Sequence, residues 1–378
     1  MPDARTLEDL DTPCLVLDRG RVAANAKRMA DRLGAHGVPL RLHVKTAKSV
    51  EVTDLVLGGR KAPIAVSTLK EAEQFFEAGY RDILYCVGIA AHKLPRVQAL
   101  VARGATLTLL LDSVEAAKAV AAFARETGAS FPVLVEIDTD GHRAGLLPDD
   151  PALAEIASLL REAGCTAAGT LAHAGSSYGC SDAAGIEQVA ARERDKALAG
   201  ARSLRAAGAA APVVSIGSTP TALHAASLEG VTEVRAGVYV FFDLVMAGVG
   251  ACKVEDIALS VLATVIGARP DHGWTLVDAG WMALSRDRGT AKQATDQGYG
   301  VVCDLDGRPI RDLVVVDTNQ EHGIIARRGG GGAPPLPVGT RVRILPNHAC
   351  ATAAQHPAYH VVDGDRRVQA CWNRFSGW

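Results

Sequence analysis

Aromatic residues are scarce, only 4% of 378 positions, and the chain has no C-x-x-C pair and no G-x-G-x-x-G after its first strand-like run. No uninterrupted apolar run reaches the roughly 18 residues that a bilayer-spanning helix needs, so a membrane span is not expected. A charge excess of either sign is also missing: 40 Lys+Arg stand against 42 Asp+Glu, a net charge of -2, with no basic block. A nucleic-acid backbone needs such a block, and nucleic acid is not expected as a partner. The opening MPDARTLEDLDTP is acidic and has no apolar core, so export by a signal peptide is not expected. The eight cysteines (Cys14, Cys86, Cys165, Cys180, Cys252, Cys303, Cys350, Cys371) are scattered and read as reduced thiols of a cytoplasmic protein.

What is there is an ordinary globular balance, 48% hydrophobic and 22% charged, in a chain about long enough for two domains of ~100–200 residues. From about residue 38 to 240, eight apolar runs alternate with Ala-rich amphipathic stretches. The runs are PLRLHV (39–44), PIAVS (63–67), DILYCV (82–87), TLTLLL (106–111), PVLVEID (132–138), AAGTLAH (167–173), PVVSI (212–216) and VTEVRAGV (231–238). Helices are expected at 19–34, 50–59, 69–79, 92–104, 114–127, 151–164, 184–208 and 219–228. Eight β/α units predict an α/β fold, a (β/α)8 TIM-type barrel, ahead of an open doubly wound sheet. Beyond about 252 the texture turns to strand-like runs, ALSVLATVIGA, GWTLVDAG, YGVVCDL, DLVVVDT, VRILP and YHVV, which predict an antiparallel β domain. The expected division is a barrel over 19–250 and a β-rich domain from 1–18 and 251–378. The strand-like TPCLVLD (12–18) joins the latter. Arg328-Gly-Gly-Gly-Gly-Ala-Pro-Pro reads as a mobile loop.

In a TIM-type barrel the chemistry gathers at the C-terminal ends of the strands. Here those ends carry Lys45, Ser67, Thr68, Asp112, Asp138 through Arg143, His173, Ser176, Ser177, Tyr178, Gly217-Ser218-Thr219, Arg235 and Gly237. Lys45 in LHVKTAKS, partly desolvated at the rim, is a candidate Schiff-base amine, although alone it is an ordinary strand-end lysine. S-I-G-S-T-P-T (215–221) offers Gly217, Ser218 and Thr219 at a helix start, with Gly237 and Val238 as the opposite jaw of a phosphate cup. The bland alternative is a simple Ser/Thr helix cap. A lysine and a phosphate cup at one barrel mouth fit pyridoxal 5′-phosphate. Arg235 is then placed to meet its pyridine nitrogen, Arg143 its phenolate oxygen and His173 its ring face. Singly, each arginine is an ordinary ion-pair partner and the histidine a satisfied core residue. In P-N-H-A-C (346–350), His348 and Cys350 at i and i+2 share one face of an extended chain and can grip one divalent metal ion. Thiolate softness favours zinc, with manganese or magnesium as alternatives, and two protein ligands leave positions open for water and substrate. A buried cysteine beside a capping histidine is the plain alternative. Cys371, His356 and His360 are further candidate ligands.

Nine stretches together resemble the D-serine dehydratase and D-threonine aldolase family of fold-type III pyridoxal-phosphate enzymes, related to alanine racemase. They are LDTPCLVLD (10–18), LHVKTAKS (42–49), STLKEAE (67–73), EIDTDGHRAG (136–145), HAGSSY (173–178), EVRAGVYVFFD (233–243), VDAGW (277–281), NQEHG (319–323) and PNHAC (346–350). The similarity covers nearly the whole chain and is greatest to the branch acting on D-threo-3-hydroxyaspartate. It implies that Lys45 holds the coenzyme covalently, that Arg143 and Arg235 face its ring hydroxyl and ring nitrogen, and that Gly217, Ser218, Thr219, Gly237 and Val238 form the phosphate cup. It also implies that His348 and Cys350 hold the metal. Dehydratases of the family look like H-x-C and some D-threonine aldolases carry H-x-D, so Cys350 points to dehydration, with retro-aldol cleavage of D-threonine-like substrates as the alternative. A small D-amino acid substrate and a homodimer are the implied partners. For the β-carboxylate of 3-hydroxyaspartate, His142, Arg286, Arg288 and His322 are the candidate cations.

Overall fold

The computed structural model describes residues 5–332 and 336–378. The chain divides into two compact units, one made of residues 28–45, 57–237 and 377–378, the other of the segment through Lys27 with 46–56 and 238–376. The expected boundaries at 19 and 250 therefore shift to 27/28 and 237/238, and 46–56 goes with the β-rich unit. One physical reason lies in the first helix, Arg19–Ala35, whose N-terminal half is tied to that unit. Arg21 Nη1 donates to Ile257 O at 2.8 Å and Asn25 Nδ2 donates to Asp256 O at 2.9 Å.

After a first strand, β1 (Cys14–Asp18), eight strands make the barrel: β2 (Leu40–His43), β3 (Ile64–Val66), β4 (Asp82–Gly88), β5 (Thr106–Leu111), β6 (Pro132–Ile137), β7 (Thr166–Ala172), β8 (Val213–Ile216) and β9 (Glu233–Ala236). All neighbours pair in parallel, and β2 pairs with β9 to close the ring. Side chains of Thr68, Ser113, Asp182 and Ser218 cap four of the intervening helices by accepting a backbone N–H, the usual way a short loop hands a strand to a helix. One face of the strands packs as an apolar layer of Ala65, Leu84, Leu110, Leu134, Ala168 and Leu171, with Cys86 against it. The same barrel carries a chain of charges. Arg235 Nη1 donates to Ser215 Oγ at 2.7 Å, Ser215 Oγ donates to Glu233 Oε1 at 2.6 Å, Arg41 Nε donates to Glu233 Oε2 at 2.7 Å, and Arg41 Nη1 donates to Asp82 Oδ1 at 2.7 Å.

The β-rich unit adds β10 (Leu259–Arg269), β11 (Trp274–Val277), β12 (Gly300–Cys303), β13 (Pro309–Thr318), β14 (Gly323–Arg327), β15 (Arg341–Pro346), β16 (Ala358–Val362) and β17 (Ala370–Asn373). Six of them close an antiparallel barrel in the order β10-β11-β14-β13-β12-β15, and β1, β16 and β17 extend it from β10. The domain is not wholly antiparallel as expected, because β1 runs parallel to β16 while pairing antiparallel with β10. Two strands escape the sequence pattern. β14 is a short I-I-A run without alternation that leads into glycines, and β17 is half exposed and defined by its ladder to β16. Of the low-complexity stretch, Arg328 is anchored by its donation to Asp296 O, while Ala333, Pro334 and Pro335 lie outside the described residues. Among the described residues no helix is long and apolar enough to cross a membrane.

Gly169 of β7 pairs with Val213 of β8. Its φ is +148°, and an added Cβ would stand 1.9 Å from Val213 O, so only glycine fits without moving backbone. Gly169→Ala should cost more than about 2 kcal/mol of folding free energy, read as a lower urea midpoint at unchanged slope; an unchanged midpoint would show that β8 yields freely.

Candidate active site

Lys45 follows β2 by two residues and its side chain is exposed, so the desolvation expected of it is not present in this chain: the strand ends at His43 and the lysine stands on the turn beyond. Lys45 and Arg235 both bear electrostatically on His43 and His173, and Arg143 on His173. The four residues expected around the coenzyme ring thus gather at one end of the barrel. Their mutual effect is visible in the histidines. Burial first, then the Lys45, Arg143 and Arg235 cations, push His173 down to about 3 against the hydrogen bond to Gly217. His173 is therefore neutral, and because its Nδ1 faces a carbonyl, Gly217 O at 2.9 Å, that nitrogen carries the proton. Tyr178 lies beside it, ring centres 6.1 Å apart at 47°.

Arg235 is buried, and its two hydrogen bonds go to neutral acceptors, Ser215 Oγ and Ala172 O, each at 2.7 Å. Arg143 is half exposed and pairs with Glu136 Oε1 at 2.9 Å, which holds the guanidinium on the loop after β6. Gly217 follows β8 with φ +137°, and an added Cβ would stand 2.1 Å from Arg235 O. Ser218 opens the helix Thr219–His224: its Oγ accepts from Thr221 N at 3.2 Å and bonds Ser177 Oγ at 3.0 Å. Thr219 is buried behind it. Gly237 directly follows β9, whereas Val238, the last member of the expected cup, starts a turn of the β-rich unit.

His43 was not expected in the site. Its Nδ1 is buried with no partner, and burial, then Lys45 and Arg235, hold the ring well below its usual pKa. An exposed amine, a bare glycine backbone beside Ser218 and an orphaned ring nitrogen amid cations fit an anionic, aldehyde-bearing coenzyme.

The second set of candidates lies in the β-rich unit. His348 and Cys350 do not sit on an extended strand as expected: β15 ends at Pro346, and His348 caps the short helix Ala349–Ala353. The turn is fixed from both sides. Asn347 is buried, donating to Thr290 Oγ1 and Gly298 O, each at 2.7 Å, while Asp243 Oδ2 accepts from Ala349 N at 2.9 Å. Asp287 Oδ2 meets His348 Nδ1 at 2.6 Å, which orients the ring, and Cys350 Sγ meets Thr46 Oγ1 at 3.2 Å. Burial opposes the imidazolium, but hydrogen bonds to Asp287 and Cys350 outweigh it and hold His348 at about 11. The two donors are therefore within reach of each other. A carboxylate that fixes a histidine for an ion is a recurring metal-site device, so the donor set suits a soft divalent metal. Among the described residues no third His, Cys, Asp or Glu completes a cluster. His356 is spent on Ala283 O at 2.9 Å, and His360 opposes Cys371 across β16 and β17. Asp287, Asp243 and Thr46 were missed, since only tertiary packing makes them neighbours of the pair; Asn347 stands next to His348 in the chain, but its bonds to Thr290 and Gly298 show only in the fold.

Fold and side chains together define an alanine-racemase-like, fold-type III pyridoxal-phosphate enzyme. The alanine racemase N-terminal domain family matches residues 17–245, and the putative serine dehydratase domain matches 258–362. D-threo-3-hydroxyaspartate dehydratase of Delftia sp. (strain HT23) is 56% identical over 99% of both chains, and its solved structure superposes with a TM-score of 0.96 over 99% of this chain and 100% of that one. A cysteine-to-alanine mutant of D-threo-3-hydroxyaspartate dehydratase, solved in a metal-free form, gives the same TM-score of 0.96 at 55% identity and the same coverage. D-serine dehydratase of Dictyostelium discoideum is 30% identical over 96% of both chains, and D-threonine aldolase of Arthrobacter sp. 29% over 97% of this chain and 92% of its own. The chain belongs to the D-serine dehydratase and D-threonine aldolase family, and it is a pyridoxal-phosphate-dependent lyase.

A neutral His173 has a stability signature. Its folded pKa of about 3 lies below the ordinary 6.5, so between those values the unfolded chain binds a proton that the folded chain refuses. Folding stability of the apoprotein should therefore fall as pH drops from about 6.5 towards 3. His173→Asn should flatten that slope, compared by urea unfolding at pH 7 and pH 5. An identical slope in the variant would place the imidazole in solvent.

Proposed function

We propose that this chain is a pyridoxal-phosphate- and divalent-metal-dependent dehydratase of β-hydroxy D-amino acids, converting D-threo-3-hydroxyaspartate to oxaloacetate and ammonia, and D-serine to pyruvate and ammonia. The observation that carries it is the pairing of His348 with Cys350, held by Asp287 and Thr46, in a chain 56% identical to a D-threo-3-hydroxyaspartate dehydratase. Retro-aldol cleavage of D-threonine-like substrates is the second reading, supported by the more distant aldolase relative.

Lys45 is the residue to hold the coenzyme, with Gly217, Ser218, Thr219, Gly237 and Val238 at its phosphate, Arg143 at the ring oxygen, Arg235 at the ring nitrogen, and His173 and Tyr178 beside the ring. When bound, the coenzyme supplies an electron-accepting ring that acidifies the substrate Cα–H, and the metal, zinc before manganese or magnesium, supplies a Lewis acid for the β-oxygen. Lys45 Nζ then takes the Cα proton as general base. Arg235, unlike a carboxylic partner, would not give up a proton to the ring nitrogen and would leave it unprotonated. That restricts how much negative charge can reside on the ring and favours loss of the β-hydroxyl in step with Cα deprotonation. His348, oriented by Asp287, and Cys350, bonded to Thr46, keep the two donors aligned. A homodimer and a cytoplasmic location complete the reading, the latter supported by eight free cysteines, all within the described residues.

Incubation with D-threonine separates the two readings: 2-oxobutanoate and ammonia mark dehydration, glycine and acetaldehyde mark aldol cleavage. Lys45→Ala should abolish the visible absorbance of the bound coenzyme and lower turnover of D-threo-3-hydroxyaspartate by at least about 10³-fold. Cys350→Ala should keep that absorbance yet lose at least about 10²-fold of the chelator-sensitive activity; full activity in either variant would sink the corresponding role.

A further inference from the structure

Glu193 sits in the middle of the helix Ala183–Ala206 and is fully buried. Its Oε1 accepts two backbone N–H groups, Ala174 at 2.9 Å and Gly217 at 3.0 Å. Both lie just past strand ends, since β7 stops at Ala172 and β8 at Ile216, so neither amide has a ladder partner to take its hydrogen. The circuit closes on itself. Ala174 follows His173, and Gly217, whose amide Glu193 holds, presents its own carbonyl to His173 Nδ1 at 2.9 Å. One carboxyl oxygen thus fixes the peptide after His173, the peptide before Ser218 and, through the Gly217 carbonyl, the tilt of the imidazole. Burying a carboxyl group is costly, and an apolar side chain would fill the same helix–barrel gap without that cost, so the group's worth lies in what it aligns.

We propose that Glu193 is a positioning residue of the coenzyme site, setting the His173 ring and the Gly217–Ser218 backbone before pyridoxal phosphate arrives. It touches neither substrate nor reacting atoms. This inference rests on the pyridoxal-phosphate reading given above.

Three variants, Glu193→Gln, Glu193→Asp and Glu193→Leu, are stripped of coenzyme and titrated with pyridoxal 5′-phosphate. The readouts are the dissociation constant, the visible circular dichroism of the bound coenzyme and the melting midpoint of the apoprotein. Gln keeps an oxygen for both amides and should hold the wild-type constant within about threefold. Asp, one methylene too short to reach them, and Leu, with no acceptor, should each weaken binding by at least about tenfold and diminish the visible dichroism. Should Leu fail to fold, the contrast between Asp and Gln decides. Variants that melt earlier but bind the coenzyme with unchanged constant and dichroism would reduce Glu193 to a structural residue and overturn the proposal. Wild-type protein with no visible band would instead overturn the coenzyme reading, and this inference with it.

Discussion

A guanidinium enclosed by a barrel organises this molecule. Arg235 is 4% exposed, and both groups it binds directly, a serine hydroxyl and a main-chain carbonyl, are neutral. The nearest carboxylate in its hydrogen-bond chain, Glu233, is reached only through Ser215 and is already shared with Arg41. The Lys45 cation adds positive charge at this end of the barrel, whereas Arg143 is paired with Glu136 and Arg235 also acts on the buried Glu193. His43 and His173 stay neutral, first because burial penalises the imidazolium and then because these cations add to the penalty. An added anion gains energy beside Lys45 and Arg235, and a phosphorylated coenzyme brings that charge.

The same economy of polar groups explains which features were legible in the sequence. The barrel strands came through because fully buried parallel strands give continuous apolar runs, and the helices between them because their periodicity switches cleanly. Helix Val114–Thr127 coincides with its expected limits, and the others differ by a few residues at their ends. The coenzyme-site candidates were legible because they cluster at strand ends, a rule of the architecture rather than of any one residue. What was hidden depends on long-range contact. Glu193 reads as one more charge on an amphipathic helix, and His43 as an alternating strand position. Asp287 lies 61 residues from the imidazole that it orients. The H-x-C spacing suggested a strand, but Pro346 ends β15 and Asp243 caps the turn that follows, so the pair meets across the first turn of a helix instead.

Around His348 and Cys350 the surrounding groups are matched almost completely. Asn347 uses its carbonyl and both donations of its amide, Asp243 caps the helices Leu244–Gly248 and Ala349–Ala353 with one oxygen each, and Thr352 ties the latter to Leu284 O. A turn with so few free polar atoms has little freedom to rearrange, which keeps two donor side chains aligned without a third. In the coenzyme half Ser218 bonds the hydroxyls of both Ser177 and Thr221, while His43 Nδ1 is left without a partner.

Two of the five borders between the compact units cut between Lys45 and Thr46 and between Gly237 and Val238. The first of these borders separates the Lys45 amine from the Thr46 hydroxyl that meets the Cys350 thiol, and the second separates Gly237, which ends the barrel unit, from Val238, which starts a turn of the β-rich unit. Recombining this chain with a homologue at its natural seams would draw those neighbours from different parents. Crossovers meant to preserve function belong well away from both seams, inside a helix on the outside of the barrel, where a mismatch falls on surface side chains.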